Sequence, residues 1–343
     1  NPSSTHSFGR NAKSVLELSR KSIAKQLNVV GSEIFFTSSG TEANNWILRS
    51  AVRDLGVKRI ITTKIEHHAV LYPALALQKE FGIQVDFVNI KSDGNIDVTH
   101  LVELLSQNSK TLVSLMHVNN EVGVVLDLER IATICKERNA LFHSDTVQSI
   151  GKTEIDLKAL PIDFISASAH KFHGPKGIGF AFIRKNSGLQ PLLLGGEQEK
   201  GMRGGTESVY QIAGMAKALE VAYAELDSER AYISELKEYC VSQLAQRFPN
   251  SKIIGSKNNF YNIINVVLPL SADKTGMLLF HLDMKGIAVS RGSACQSGSS
   301  NPSHVLAEIL SPEELVQPSL RISFSHYNTK EEIDYLLEVL ASV

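Results

Sequence analysis

Thr111-Leu112-Val113-Ser114-Leu115-Met116-His117 is the run from which the fold is read. Its apolar residues are nearly continuous and do not alternate with polar ones, the pattern of a strand buried on both faces, as in a parallel sheet covered by helices. Runs of the same kind recur around it at Glu33–Thr37, Arg59–Thr63, Val85–Ile90, Ala140–Ser144, Ile162–Ser168 and Ile178–Arg184. Helical patterns separate most of them, so the first two thirds of the chain read as βαβ units building a mostly parallel central sheet flanked by helices, an α/β fold. Ligands of such sheets sit outside the carboxyl ends of the strands. Polar clusters fall there: Thr37-Ser38-Ser39-Gly40-Thr41-Glu42 after Phe36, Asn119-Asn120-Glu121 after Val118, His143-Ser144-Asp145 after Phe142, and Ser166 to Lys171 after Ile165.

Near residue 225 the pattern changes. Ile212–Tyr239 reads as one long amphipathic helix, followed by a strand at Asn262–Leu270, a helix at Lys274–Lys285, a strand at Arg321–Ser325 and a helix at Glu331–Leu340. Thr329 with Glu332 three residues on has the spacing of a capping box for that last helix. The expected organisation is a large domain over residues 1–226 and a smaller α+β domain over 227–343. The Gly/Ser-rich cluster Ser290–Ser303, which contains Cys295, is expected to be a mobile loop of the smaller domain.

Composition narrows the function. The 343 residues carry 35 Lys and Arg against 36 Asp and Glu, and the charges alternate in sign along stretches such as Leu128–Arg138, so a basic surface for nucleic acid is not expected. The longest apolar runs, such as Val122–Leu126 broken only by Gly123, fall far short of the roughly 20 residues of a membrane span. Cys135, Cys240 and Cys295 lack CxxC spacing, which argues against a disulfide framework or a zinc site and makes a reducing cytoplasm the expected compartment. The opening Asn1-Pro2-Ser3-Ser4-Thr5-His6, with no initiator Met and no apolar signal core, reads as a sequence cut from a longer chain.

Lys171 stands just beyond a buried strand, in Ser168-Ala169-His170-Lys171, where a lysine that forms a Schiff base with a carbonyl would sit. Burial or the cationic neighbours His170 and Lys176 would lower its pKa and make it nucleophilic; the alternative is a surface lysine in a turn. Asp145 ends a strand, where a carboxylate can face a pyridoxal ring nitrogen and keep it protonated, or can instead cap a following helix. Gln148, three residues on, can reach the phenolic oxygen of the same ring. Ser38-Ser39-Gly40-Thr41 opens a helix and offers free N–H groups to a phosphate; it lacks the GxxxxGK[ST] and GxGxxG patterns of nucleotide sites. Ser168 and His170 can add phosphate donors, and His67 can stack on a heteroaromatic ring or merely cap a helix. Cys295 differs from Cys135 and Cys240, which lie on amphipathic helices and read as packing residues. In its Gly/Ser loop it can act as a nucleophile once its thiolate is stabilised. Arg321 has the planar fork that clamps a carboxylate, or it forms an ordinary surface ion pair.

Taken together these residues resemble the cysteine desulfurases of the NifS/IscS type, pyridoxal-phosphate enzymes of fold type I in the class V aminotransferase family. The matching stretches are Asn1–His6, Thr37–Asn45, Glu66-His67, Met116–Gly123, His143–Gln148, His170-Lys171 with Gly174–Gly177, Met202–Thr206, and Gly292-Ser293-Ala294-Cys295, in the family's order and over nearly the whole chain. The resemblance implies that Lys171 holds pyridoxal 5'-phosphate, that Asp145 and Gln148 address its ring, and that His67 stacks on it as part of the catalytic set. It implies that Asn120 contacts cofactor or substrate. Gly40, Thr41, Ser168 and His170 would bind the phosphate, with Thr206 arriving from the other subunit of a homodimer. Arg321 would hold the carboxylate of L-cysteine, and Cys295 would accept its sulfur as a persulfide for delivery to an acceptor protein, in iron–sulfur cluster assembly or in thiolation of other molecules. The loop around Cys295 resembles the group with an extended cysteine loop.

The departures lie at the ends. The family's N-terminal segment, with an Ala-Thr-Thr-type stretch near the substrate, is expected upstream of Asn1, and the sequence read to Val343 sets no expectation of the C-terminal extension that some members use to dock a scaffold. A selenocysteine lyase, an aminotransferase and a catalytically silent scaffold of the same fold stay open as alternatives at this point.

Overall fold

The computed structural model describes residues 1–255, 259–292 and 303–342, which divide into two compact units. The first comprises Asn1–Val88, Val98–His117 and Leu126–Leu226, and the second Asn89–Asp97, Val118–Val125 and Asp227–Val343. Among the described residues, seven strands build the sheet of the first unit: β1 (Ile34–Thr37), β2 (Arg59–Thr62), β3 (Gln84–Phe87), β4 (Thr111–Ser114), β5 (Leu141–Asp145), β6 (Phe164–Ser168) and β7 (Gly179–Ile183). Their order is β1-β7-β6-β5-β4-β2-β3, with β6, β5, β4, β2 and β3 mutually parallel. The strand β7 runs antiparallel to both β6 and β1, so β1 points the same way as the five and brings Thr37 to their carboxyl edge. Each of the seven predicted strands is present. The long run from Thr111 ends as a regular strand at Ser114, but Leu115 and His117 continue to donate to the carbonyls of His143 and Asp145, which carries the chain straight across the end of β5.

The helices of this unit are α1 (Ser7–Gln26), α2 (Gly40–Arg53), α3 (His68–Phe81), α4 (Val98–Leu104), α5 (Leu128–Glu137) and α6 (Val209–Ala224). In α2 the apolar residues Ala43, Ile47, Leu48, Ala51 and Val52 recur at helical spacing and bury one face against Phe35, Ile60, Leu112 and Phe164 of the sheet. Trp46 fills the same core and its indole N–H donates to the Gln190 carbonyl at 2.8 Å. Ser39 caps the helix by accepting from Glu42 N–H, which fixes where α2 begins and therefore which amides it presents.

The second unit holds α7 (Leu226–Arg247), β8 (Lys252–Ile253), β9 (Ile263–Val267), α8 (Leu278–Met284), α9 (His304–Ala307), α10 (Pro312–Leu315), β10 (Ser319–Ser323) and α11 (Lys330–Ala341). Its strands form an antiparallel sheet in the order β10-β9-β8. Its core joins Ile233, Leu236 and Leu244 of α7 to Val266, Leu320, Leu336 and Leu337. The Thr329–Glu332 capping box of α11 is formed.

Two expectations need correction. The single helix predicted over 212–239 is two, because the backbone leaves helical values at Glu225 (φ −103°, ψ 5°) before α7 starts. No Pro or Gly marks the break, and apolar spacing resumes at once, so periodicity does not register it. The helix predicted over 274–285 is a 3-10 turn, Ala272–Gly276, followed by the shorter α8.

The open edge of β1 is closed by a buried ion pair. Arg20 of α1 makes two bonds to Glu199 (2.6 and 2.7 Å); its guanidinium also donates to the Ile34 carbonyl, while Glu199 accepts from Phe36 N–H at 2.8 Å. The backbone of β1 is thereby satisfied where no further strand adds to it. Glu199 and Lys200 adopt left-handed φ values of 48° and 59° to reach this arrangement. Glu199→Ala is expected to cost about 3–5 kcal/mol, because it strands a buried guanidinium and a strand N–H. A urea midpoint that moves by under about 1 kcal/mol equivalent would show the pair to be dispensable.

Candidate active site

At the carboxyl edge of the first unit's sheet, Asp145 is the last residue of β5 and is buried. Its Oδ1 accepts from Val147 N–H at 3.0 Å and its Oδ2 from Asn44 Nδ2 of α2 at 2.7 Å. The segment after β5 is a turn and not a helix, so the capping alternative takes the form of the single bond to Val147. Gln148 follows in the same turn, half-buried.

The groups behind Asp145 are held uncharged at neutral pH. Burial pushes the Glu66 carboxyl up to about 8 against the Met116 N–H bond it accepts at 3.0 Å, and the negative charge of Asp145 adds to the rise. Burial pushes the imidazoles of His117 and His143 down, to about 4 and about 3. His143 Nδ1 is hydrogen-bonded to Ser114 Oγ at 2.8 Å.

A second cluster surrounds the start of α2. The amides of Gly40 and Thr41, in its first turn, have no intrahelical acceptor and point along the positive end of the helix dipole. A Cβ at Gly40 would stand 2.5 Å from Val147 Cγ2 and 3.7 Å from Ser168 Cβ, so glycine is what lets the helix start lie against the ends of β5 and β6. Ser168 ends β6 and its Oγ is 2.9 Å from His170 Nδ1. His170 and Lys171 belong to the single 3-10 turn Ala169–Phe172. The His170 imidazole lies below its ordinary value through burial first, and then through the ammonium charges of Lys171, Lys176 and Lys152. Lys171 itself is half-buried, whereas Lys176 is exposed.

Glu42, two residues into the same helix, accepts from Ser38 N–H at 2.8 Å and from Arg203 in a two-pronged pair at 2.9 and 3.1 Å. Burial raises the Glu42 carboxyl, but these hydrogen bonds outweigh it and bring the group below its ordinary value. His67 caps α3, with Nδ1 accepting from Ala69 N–H at 3.1 Å, so the capping role weighed from the sequence is present and leaves Nε2 as the protonated nitrogen. Thr206 is exposed.

In the second unit, Arg321 of β10 donates from Nη1 to the Asn120 carbonyl at 2.9 Å, and its backbone bridges to Ser290. Glu121, fully buried, accepts from the Ser303 hydroxyl, and its carbonyl accepts from Asn265 Nδ2 at 3.1 Å. Cys295 and most of its Gly/Ser cluster lie outside the described residues. Cys135 and Cys240 are buried, and burial pushes both thiols up to about 12, in keeping with packing roles.

The sequence reading missed Asn44, Glu42 and Arg203. Asn44 lies one helical turn after Gly40 and thus on the same face of α2, a spacing that would have pointed to it. The Glu42–Arg203 pair carries no such signal.

Residues 1–336 match the aminotransferase class-V family, and the chain belongs to that family. Within it, the chain is similar to the cysteine desulfurase IscS of Dictyoglomus turgidum, with 40% identity over 346 residues that span all of this chain and 87% of the relative. Its fold matches that of a solved NifS-like protein with a TM-score of 0.90 at 37% identity, over 100% of this chain and 90% of the other. SspA, solved in complex with cysteine, gives a TM-score of 0.81 at 31% identity over 96% and 92% of the two chains.

Proposed function

We propose that this chain is a pyridoxal-phosphate-dependent cysteine desulfurase that converts L-cysteine to L-alanine and carries the sulfur as a persulfide on Cys295. The observation that supports it best is the buried Asp145 carboxylate, held by two donors at the same sheet edge as the Lys171 turn and the free amides of α2. That donor set fits the cofactor: Gly40, Thr41, Ser168 and His170 suit its phosphate, Asp145 its ring nitrogen, Gln148 its phenolic oxygen, His67 its face and the Lys171 amine its aldehyde. When bound, the cofactor supplies an electron sink for charge developing at the substrate Cα.

The protein's residues do the rest. Lys171 would hold the cofactor, and its Nζ, as a free amine, would take the Cα proton of the substrate. Asp145 keeps the ring nitrogen protonated, Asn120 and Arg321 address the substrate, and the Arg321 fork suits its carboxylate. Cys295 thiolate attacks the substrate sulfur. As the new S–S bond forms, the Cβ–S bond breaks with its electron pair left on carbon, and protonation there yields the methyl group of alanine. Cysteine plus the Cys295 thiol thus becomes alanine plus the Cys295 persulfide, with no external oxidant or reductant. The working form is a cytoplasmic homodimer in which Thr206 reaches the partner's phosphate site, and a sulfur-acceptor protein takes the persulfide onward. Among the described residues no helix is long and apolar enough to cross a membrane.

The test supplies the purified chain with pyridoxal phosphate, L-cysteine and a reducing thiol. L-alanine and sulfide are expected in equal amounts. No alanine, or a keto acid in its place, overturns the reading.

A further inference from the structure

We infer that Asn44 is a positioning residue, whose side-chain amide holds the Asp145 carboxylate in the orientation in which it meets the cofactor's ring nitrogen. This rests on the reading of Asp145 given above.

Asn44 occupies a position that the core would fill better with an apolar residue. It is 1% exposed and its neighbours along α2, Ala43, Ile47 and Leu48, are buried apolar residues of the main core. A leucine or alanine would complete that face. Instead the position carries an amide whose Nδ2 donates to Asp145 Oδ2 at 2.7 Å, while its Oδ1 is buried with no hydrogen-bond partner among the described residues. A buried acceptor without a partner is unfavourable, and such local exceptions concentrate at functional sites. Turning the amide over would set Oδ1 against Oδ2, two acceptors face to face, so the carboxylate itself holds the amide in this orientation. The bond is therefore directional and specific to Asp145.

Gly40 meets Val147 and Ser168, and Asn44, four residues on, meets Asp145. Residues at that spacing share a helix face and lie about 6 Å apart along the axis. One rigid helix thus indexes both the phosphate cradle and the carboxylate for the ring nitrogen. With Val147 N–H holding Oδ1 and Asn44 holding Oδ2, the carboxylate cannot rotate, and each oxygen keeps lone-pair capacity for a further donor.

The test compares Asn44→Leu, Asn44→Asp and Asp145→Asn with the parent holoenzyme. It reads pyridoxal phosphate affinity, the pH titration of the bound cofactor's visible absorption, and thermal unfolding of the cofactor-free protein. Asn44→Leu is expected to weaken cofactor binding about tenfold or more and to displace the absorption titration, because a hydrogen bond to a charged group is lost. In the cofactor-free protein the gain from losing the unpartnered oxygen is opposed by the stranded Asp145 Oδ2, so thermal unfolding reads the fold while the cofactor titration reads the positioning role. Asn44→Asp keeps the shape and can donate only while it shares a proton with Asp145. Its cofactor affinity should therefore approach the parent's at low pH and fall as the pH rises, a dependence that packing alone would not produce. Parent-like affinity and titration in both Asn44 variants, with Asp145→Asn impaired, would overturn the inference and leave the reading of Asp145 standing. Parent-like behaviour of Asp145→Asn would remove that reading itself. If Asn44→Leu fails to fold, the pH dependence of Asn44→Asp decides alone.

Discussion

The Lys171→Ala protein is expected to lose turnover by roughly 10³-fold and to lack the visible absorption band of lysine-bound pyridoxal phosphate. Lys171 is the third residue of the tight turn beyond β6, half-buried beside His170, and the effect of its charge is already visible in the lowered His170 imidazole. An amine in that position is partly shielded from water and stands beside the ends of β5 and β6 where the other candidate cofactor contacts gather. On the proposed reading, removing it takes away both the covalent tether and the proton acceptor, so the effect compounds. Borohydride, which makes the link between lysine and cofactor permanent, should label the parent at the peptide containing Lys171 and leave the variant unlabelled at that site. A normal absorption band in Lys171→Ala would transfer the tether to another lysine, Lys176 being the nearest in sequence. Because Lys171 is not part of the core, the cofactor-free variant should unfold at the parent's temperature within about 1 kcal/mol.

Cys295→Ala is expected to bind pyridoxal phosphate as the parent does but to form no protein persulfide, with alanine production reduced by at least about 10²-fold. The other two cysteines cannot stand in for it. Cys135 and Cys240 are fully buried in helices, and burial pushes their thiols up to about 12, which disfavours the nucleophilic thiolate. The chain has three cysteines, so a nucleophilic sulfur leaves Cys295 as the one candidate. Mass spectrometry of the protein after a single exposure to L-cysteine, without reductant, reads the added sulfur directly. A persulfide that persists in Cys295→Ala would show that the sulfur is accepted elsewhere.

Local pattern accounts for much of what the sequence revealed. A strand buried on both faces must be apolar along its length, and seven such runs mark the seven strands within one or two residues of their ends, apart from the longer runs at Val85–Ile90 and Thr111–His117. Those two overshoot because Val88, Ile90, Leu115 and Met116 extend the apolar pattern past the end of the regular ladder. Polar residues at the carboxyl ends of β1, β5 and β6 are conspicuous against that background, which is why Asp145, Ser168, His170, Lys171 and the Gly40–Thr41 helix start could be singled out. The break between α6 and α7 left no mark, because one residue changes its dihedral angles without disturbing the apolar spacing.

The sequence by itself determined the parallel sheet, the edge where chemistry gathers and the residue types able to carry it, because strand burial and helix capping are governed by neighbours a few residues apart. Only the tertiary structure decided how those residues are held. Asn44 meets Asp145 across 101 positions, Arg203 meets Glu42 across 161 and Arg20 meets Glu199 across 179. Each pairing depends on which strands lie side by side in the order β1-β7-β6-β5-β4-β2-β3. A hydrogen bond needs its two atoms within about 3 Å, and sequence separation says nothing of that distance until the sheet has brought the chain back upon itself.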